Sequence, residues 1–338
     1  MRSPCIVSRL PSRARHPLTH PKNRMTWTEL SLDTTHEAID WIRTLLATHG
    51  VTQPLAIQPH CTQADPTDWD FTLHLYLSST ATMNGQVQAI ADALHPLHRT
   101  GQTSLLRQHH VAEIPAAAQT SATRCGQRVV LQSSDRPLQS PDRHANDIPI
   151  TLKPTLSFGS GLHPTTSLCV RLLERSITPG MTTLDLGSGS GILSILMAKL
   201  GATVLAADND PIAVQSTRAA VQDNHVADRV TVIQGSLGQG NDLGHWLGGD
   251  AIAHQAVLDI TPSFDLIVAN IFARIHIALA PDFRRALERS PSHTGYLITA
   301  GYTDDYEQDV SAALSKSGFI HRHTERMGEW IAQLHQFV

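Results

Sequence analysis

Residues 182–208, TTLDLGSGSGILSILMAKLGATVLAAD, read as strand, glycine turn, helix and strand. Thr182 to Leu186 is a short apolar strand, and Gly187, Gly189 and Gly191 form the turn. Ile192 to Leu200 keeps apolar residues at helical spacing, and Thr203 to Ala207 is a second strand ending in Asp208. This order is half of a nucleotide-binding βαβ unit. A ligand can lie against main chain only where no Cβ intrudes, and the turn needs dihedrals that glycine tolerates. The helix behind the turn offers unpaired N–H groups. Asp208, at the carboxyl end of the next strand, can accept both hydroxyls of a ribose.

The spacing separates two ligand classes. Dinucleotide folds use G-x-G-x-x-G, with a small residue where this chain has Ile192. Here the pattern is G-x-G-x-G preceded by Asp185, which resembles motif I of class I S-adenosylmethionine-dependent methyltransferases. That resemblance implies S-adenosylmethionine as methyl donor. The bland alternative is a plain glycine turn in another α/β protein.

At 338 residues the chain can hold a sizeable core in one or two domains. It has no apolar run long enough to span a bilayer. A net charge of −4 argues against a general nucleic-acid-binding surface. The four cysteines, Cys5, Cys61, Cys125 and Cys169, lack paired spacing and read as reduced thiols, with no metal site. The 20 histidines are dispersed and read as surface or core residues. The expectation is a cytoplasmic monomer with no direct nucleic-acid or membrane partner.

Residues 1–24 contain six Arg or Lys and no acid, as organelle leaders do. Pro4, Pro11, Pro17 and Pro21 spoil an amphipathic helix there, and Met25 stands directly before the first patterned segment. A disordered leader or a mis-assigned start is the expectation. From Trp27 to Leu32 the chain alternates like a strand. A helix over 35–49, strands at 54–59 and 71–77, a helix over 87–97 and a strand over 103–111 complete a β-α-β-β-α-β order. That order predicts a small ferredoxin-like domain over 25–114, either presenting a substrate or purely structural. Residues 115–150, rich in Ala, Ser, Gln and Pro, read as a linker with one short strand at 128–131.

Residues 151–338 read as the main domain. Pro164 starts a helix whose first turn holds Thr165 and Thr166, where hydroxyls and free N–H groups face outward. After Asp208 come a helix over 211–224, a strand ending near Ser236, and a polar insertion over 237–263. Phe264 to Ala269 is a buried strand with Asn270 at its end. Two helices, 273–280 and 281–289, then a strand, a helix and a terminal hairpin finish the chain. The alternation predicts a Rossmann-like, mostly parallel seven-stranded sheet with an antiparallel edge. Ligands bind beyond the carboxyl ends of such strands, where Gly187, Gly189, Asp208, Ser236 and Asn270 all fall.

Several separated stretches resemble the PrmA family, the methyltransferases of ribosomal large-subunit protein L-eleven. Residues 158–166, FGSGLHPTT, are similar to its F-G-T-G-x-H-P-T-T loop, 268–271 to its V-A-N-I, and Gly328-Glu329-Trp330 to its C-terminal signature. The resemblance implies that Thr166, Gly187, Asp208 and Asn270 touch the cofactor. It implies that the first domain recognises the ribosomal protein, that the linker swings it, and that lysine side chains and an N-terminal α-amine are methylated. The linker lacks the tryptophan-rich basic segment many members carry, and the 237–263 insertion is longer than usual.

The sulfonium methyl is already activated, so alignment and desolvation are the enzyme's main tasks. The attacking amine must be neutral, which at pH 7 costs roughly 4–5 kcal/mol for a lysine and about 1 for an α-amine. Asn270 is the expected catalytic residue, accepting a hydrogen bond from the amine and orienting its lone pair. The absence of proline after Asn270 makes a nucleic-acid base a minor alternative. Two others are a methyltransferase of another protein or small molecule, and a non-catalytic, cofactor-binding assembly factor.

Overall fold

The computed structural model describes residues 26–337 except 52, 54, 61–68, 79–82, 116–122, 133–143, 154–160, 239–263 and 288–294. The expectations for 1–24, for 158–160 and for most of the 237–263 insertion lie outside the described residues.

Alternation builds the first unit. In β1 (Trp27–Thr34), Leu30 and Leu32 face the same side as Leu73, Leu75 and Leu77 of β3 (Phe71–Ser78). With β2 (Leu55–Pro59) and β4 (Arg107–Val111) they form an antiparallel sheet of order β2-β3-β1-β4. Helices α1 (Ala38–Thr48) and α2 (Met83–Arg99) bury Ala38, Ile42, Leu46, Ile90 and Leu94 against those leucines. The other face is polar. Arg107 forks onto Asp33 at 2.6 and 2.8 Å and holds that carboxyl below its usual range. Glu29 accepts from Tyr76 at 2.9 Å and lies 2.7 Å from the His74 ring.

The last strand is shorter than the predicted 103–111. The Ser104 hydroxyl accepts the Asp33 N–H at 2.8 Å, so a side chain takes the place of a ladder bond and Thr103 keeps only an isolated bridge to Thr34.

Where the sequence predicts one short strand, three are present: β5 (Thr123–Cys125), β6 (Val129–Gln132) and β7 (Ile148–Thr151), in the order β5-β6-β7. Val129, Leu131, Ile148 and Ile150 pack into one core with Leu168, Leu172 and Leu173 of α3 (Pro164–Ser176). Glu174 of α3 closes the turn before β6, accepting the N–H groups of Gln127, Arg128 and Val129 at 2.8, 2.7 and 3.1 Å.

The large sheet is built from β8 (Thr182–Leu186), β9 (Thr203–Asp208), β10 (Val230–Gln234), β11 (Leu266–Asn270), β12 (Gly295–Thr303), β13 (Phe319–Met327) and β14 (Trp330–Phe337). Its order is β10-β9-β8-β11-β12-β14-β13. The first five strands are parallel, and the terminal hairpin supplies the antiparallel edge. α4 (Ile192–Lys199) and α5 (Pro211–Asp223) follow β8 and β9, α6 (Ala273–Leu287) follows β11, and α7 (Glu307–Lys316) precedes the hairpin.

α6 is one helix where the sequence predicts two, because it runs through Pro281. Proline removes one N–H, which leaves the Ile277 carbonyl without a helical donor. Ile277 is exposed, so water can serve that carbonyl. Replacing Glu174 with alanine should cost about 1–2 kcal/mol, chiefly by taking the partner from the N–H of buried Val129, since Gln127 and Arg128 are exposed to water. Denaturant unfolding of the pure variant measures it, and an unchanged midpoint would show the cap to be idle.

Candidate functional site

The site lies at the carboxyl edge of the parallel strands, and the glycine turn fixes its floor. Gly187, Gly189 and Gly191 have φ of 78°, 54° and 83°, in the left-handed region where a Cβ is strained. The N–H groups of Gly187 and Ser188 both donate to the Ala207 carbonyl, at 2.8 and 3.1 Å, tying the end of β8 to the end of β9. From α5, the Thr217 hydroxyl donates to the Gly189 carbonyl at 3.0 Å and meets the Ser188 hydroxyl at 3.0 Å.

Asp208 faces this turn. One carboxylate oxygen accepts the Gly189 N–H at 2.9 Å and the other accepts the Asp210 N–H at 3.0 Å. A carboxylate has about four lone-pair positions, so two backbone donors leave room for a pair of hydroxyls. Burial raises its pKa, and the backbone N–H donors oppose that rise. Gly235 donates to the Asp208 carbonyl at 3.0 Å, which brings buried Ser236 to the same edge.

Asp185 lies beneath the turn and is fully buried. The Ser194 hydroxyl donates to one carboxylate oxygen, while the other has no protein partner among the described residues. Burial pushes this carboxyl up to about 7, against the hydrogen bonds from Ser194 and with help from the Asp208 charge.

On the other side of β8, register pairs Ala269 with Leu186, so Asn270 comes level with Gly187. The residue after Asn270 is clamped. Ile271 donates its N–H to the Ala300 carbonyl at 3.0 Å. A Cβ on Gly187 would come within 2.6 Å of the Ile271 side chain, and one on Gly301 within 2.6 Å of the Ile271 carbonyl. His276, buried in α6, lies with its Nε2 2.9 Å from the same Ala300 carbonyl. Burial lowers its pKa to about 4, so at neutral pH the ring is uncharged and that nitrogen donates as N–H.

The first turn of α3 closes the edge. The His163 ring caps it, with Nδ1 2.8 Å from the Thr165 hydroxyl, and the Thr166 N–H donates to the His163 carbonyl at 3.0 Å. Thr165 and Thr166 are buried, not outward-facing as predicted. Gly161 lies against Leu131 and Ile192, where a Cβ would come within 2.5 and 2.7 Å. The His163 ring also meets Trp330 edge-on at 4.7 Å, and the Trp330 N–H donates to Glu37 of the first unit at 3.1 Å.

The structure therefore brings Gly187, Gly189, Asp208 and Ser236 onto adjacent strand ends, with Asn270 on the next strand and Thr166 in the neighbouring helix turn. Sequence reasoning passed over Gly301 and His276. Gly301 had a signal, being a glycine inside an apolar strand, which often marks a bulge or close approach. The β12 register does shift there, between Ala300 and Tyr302. Among the described residues no cluster could hold a metal, and no helix is long and apolar enough to cross a membrane.

A sheet of this order, with a glycine turn after β8, an acid ending β9 and Asn270 ending β11, defines a class I S-adenosylmethionine-dependent methyltransferase fold. The family described as ribosomal protein L11 methyltransferase (PrmA) matches residues 26–337, and the chain belongs to that family. It is 38% identical over 331 residues to the ribosomal protein L11 methyltransferase of Chloroflexus aurantiacus, covering 92% of this chain and 98% of that one. It is 33% identical to that of Herpetosiphon aurantiacus, covering 92% and 99%. The crystal structure of ribosomal protein L11 methylase from Lactobacillus delbrueckii subsp. bulgaricus superposes with a TM-score of 0.51 at 25% identity, covering 63% of this chain and 97% of that one.

The raised Asp185 pKa sets a pH dependence. Unfolded, its pKa is about 3.9. Between that value and about 7 the folded state holds a proton that the unfolded state has lost, so stability falls as pH rises through this window. The variant Asp185→Asn lacks this loss. Its stability advantage over the parent should grow from pH 4 to pH 7 and then level off, as read by denaturant unfolding at each pH. An advantage flat across that range would show the carboxylate to be relieved in some other way.

Proposed function

We propose that this protein transfers methyl groups from S-adenosylmethionine to lysine and N-terminal amines of ribosomal protein L11. The observation that carries the reading is Asn270 level with Gly187, at the end of a clamped loop, in a chain matched by the family from residue 26 to 337.

The residues fit the cofactor. The turn glycines leave room for a ligand against main chain, the Asp208 carboxylate retains acceptor capacity, and Asp185 has a buried unpartnered oxygen. When bound, S-adenosylmethionine supplies a methyl group already activated by its sulfonium. Asp208 orients the ribose, Gly187 and Gly189 admit the chain-like end of the donor, and Thr166 and Ser236 flank it. Asn270 accepts a hydrogen bond from the acceptor amine through its side-chain oxygen and aims the lone pair. The proton leaves to bulk water. Desolvation at the site favours the neutral amine, which is where a lysine needs most help.

The first unit, residues 25–114, reads as a ferredoxin-like domain that presents the ribosomal protein. Its β2-β3-β1-β4 order with two helices on one face supports the ferredoxin-like part of this reading. Residues 115–150 lead from it to the methyltransferase domain, 151–338, and their strands β5, β6 and β7 pack with that domain through α3. A cytoplasmic monomer without nucleic-acid contact belongs to the same reading, and the net charge of −4 is in keeping with it.

The direct test incubates the purified protein and labelled S-adenosylmethionine with ribosomal proteins from a strain lacking the native enzyme. One labelled band at the mass of L11 is expected, and label elsewhere would reassign the substrate. With cofactor binding confirmed by calorimetry, no label on any protein would favour a scaffold role. Asn270→Ala should lower turnover by about a hundredfold, within the range for a positioned polar group at a reacting centre. Cofactor binding should weaken far less, and unchanged turnover would remove Asn270 from the mechanism.

A further inference from the structure

His276 is a polar side chain on a buried apolar stripe. It shares one face of α6 with Ala273, Leu279, Ala280 and Phe283, and all five are buried. An aliphatic residue would fill the position without taking a polar group out of water. The imidazole instead meets main chain, with Nε2 2.9 Å from the Ala300 carbonyl, and the Tyr302 ring packs edge-on against it at 5.3 Å. A carbonyl only accepts, so Nε2 carries the hydrogen of the uncharged ring. Ala300 is also the β12 residue paired with Asn270, and its carbonyl already accepts the Ile271 N–H at 3.0 Å. The imidazole is thus a second donor to a satisfied acceptor, which two lone pairs permit. Removing it leaves no orphan on β12, so its effect lies in geometry. Only Ile271 and Phe272 separate Asn270 from α6, and both ends of that short link are tied to one oxygen.

We propose that His276 is a positioning residue for methyl transfer, fixing the Asn270 loop through the Ala300 carbonyl so that the Asn270 side chain keeps its aim on the acceptor amine. The inference rests on the function proposed above and deepens it by naming a buried residue on which the rate depends.

The test measures methyl transfer to purified ribosomal protein L11 by the full-length protein, with kcat and KM taken separately and cofactor affinity read by calorimetry. A misplacement of about 1 Å near a reacting centre costs about a hundredfold, so the loosened loop of His276→Leu should lower kcat by about tenfold. KM for L11 and cofactor affinity should each stay within about twofold, since the change touches neither substrate. In His276→Gln the amide nitrogen reaches the place of Nε2 and should restore kcat. In His276→Asn it reaches only the place of Nδ1 and should not. The double variant separates positioning from plain stability. Adding His276→Leu to Asn270→Ala should lower turnover by less than about twofold more, because the group that His276 aims is already gone. Losses that multiply, a fall in cofactor affinity as large as the fall in kcat, or an unchanged kcat in His276→Leu would each overturn the assignment. Should the leucine variant not fold, the contrast between glutamine and asparagine decides, and equal rates in those two overturn it. If the parent protein methylates no amine of L11, the function proposed above fails and takes this inference with it.

Discussion

The Ala300 carbonyl holds the site together. It takes the Ile271 N–H and faces the buried ring of His276 at 2.9 Å, so one acceptor within β12 fixes both the residue after Asn270 and the helix that follows. Neither contact would form if the strands stood further apart. The close approach is allowed because residue 301 is glycine at φ 91° and residue 187 is glycine at φ 78°. The uncharged state of His276 belongs to the same arrangement. In a dry environment a neutral imidazole can donate from one nitrogen, while a charged ring would need a counter-ion that this core does not supply. The rigidity of the Asn270 loop is thus a property of β8, β12 and α6 together.

Much of this was legible in the sequence because it rests on local rules. The glycine turn, the acid after β9 and the alternation in β1 and β3 each follow from steric freedom or from a period of two. Asn270 could be placed at a strand end for the same reason. What stayed hidden was set by partners far away in the chain. Residues 123–151 have the composition of a linker, yet Glu174, 45 to 47 residues beyond Gln127, Arg128 and Val129, supplies the carboxylate that closes the turn between β5 and β6. The continuous α6 was missed because the rule against proline in helices ignores whether the orphaned carbonyl can reach water. Thr165 and Thr166 were expected to face outward because capping statistics describe an isolated helix end, and this end is buried in the fold.

The first unit meets the methyltransferase domain through the apolar packing of Ile39 and a polar contact at Trp330. Trp330 donates to Glu37 of the first unit and packs its ring edge-on to His163, which in turn caps the helix turn bearing Thr166. A single indole therefore spans from the first unit to the cofactor edge. Its apolar body suits the packed side and its N–H the wetter side, a division of labour to which tryptophan is well fitted. The His163 ring is driven toward the neutral form by burial, while the nearby carboxylates of Asp40 and Glu37 pull the other way. Where burial wins, Nδ1 is free to accept the Thr165 donor and serve as a cap. Trp330 and His163 thus link the first unit to the cofactor edge, beside the apolar contact that Ile39 of α1 makes with the core of the methyltransferase domain.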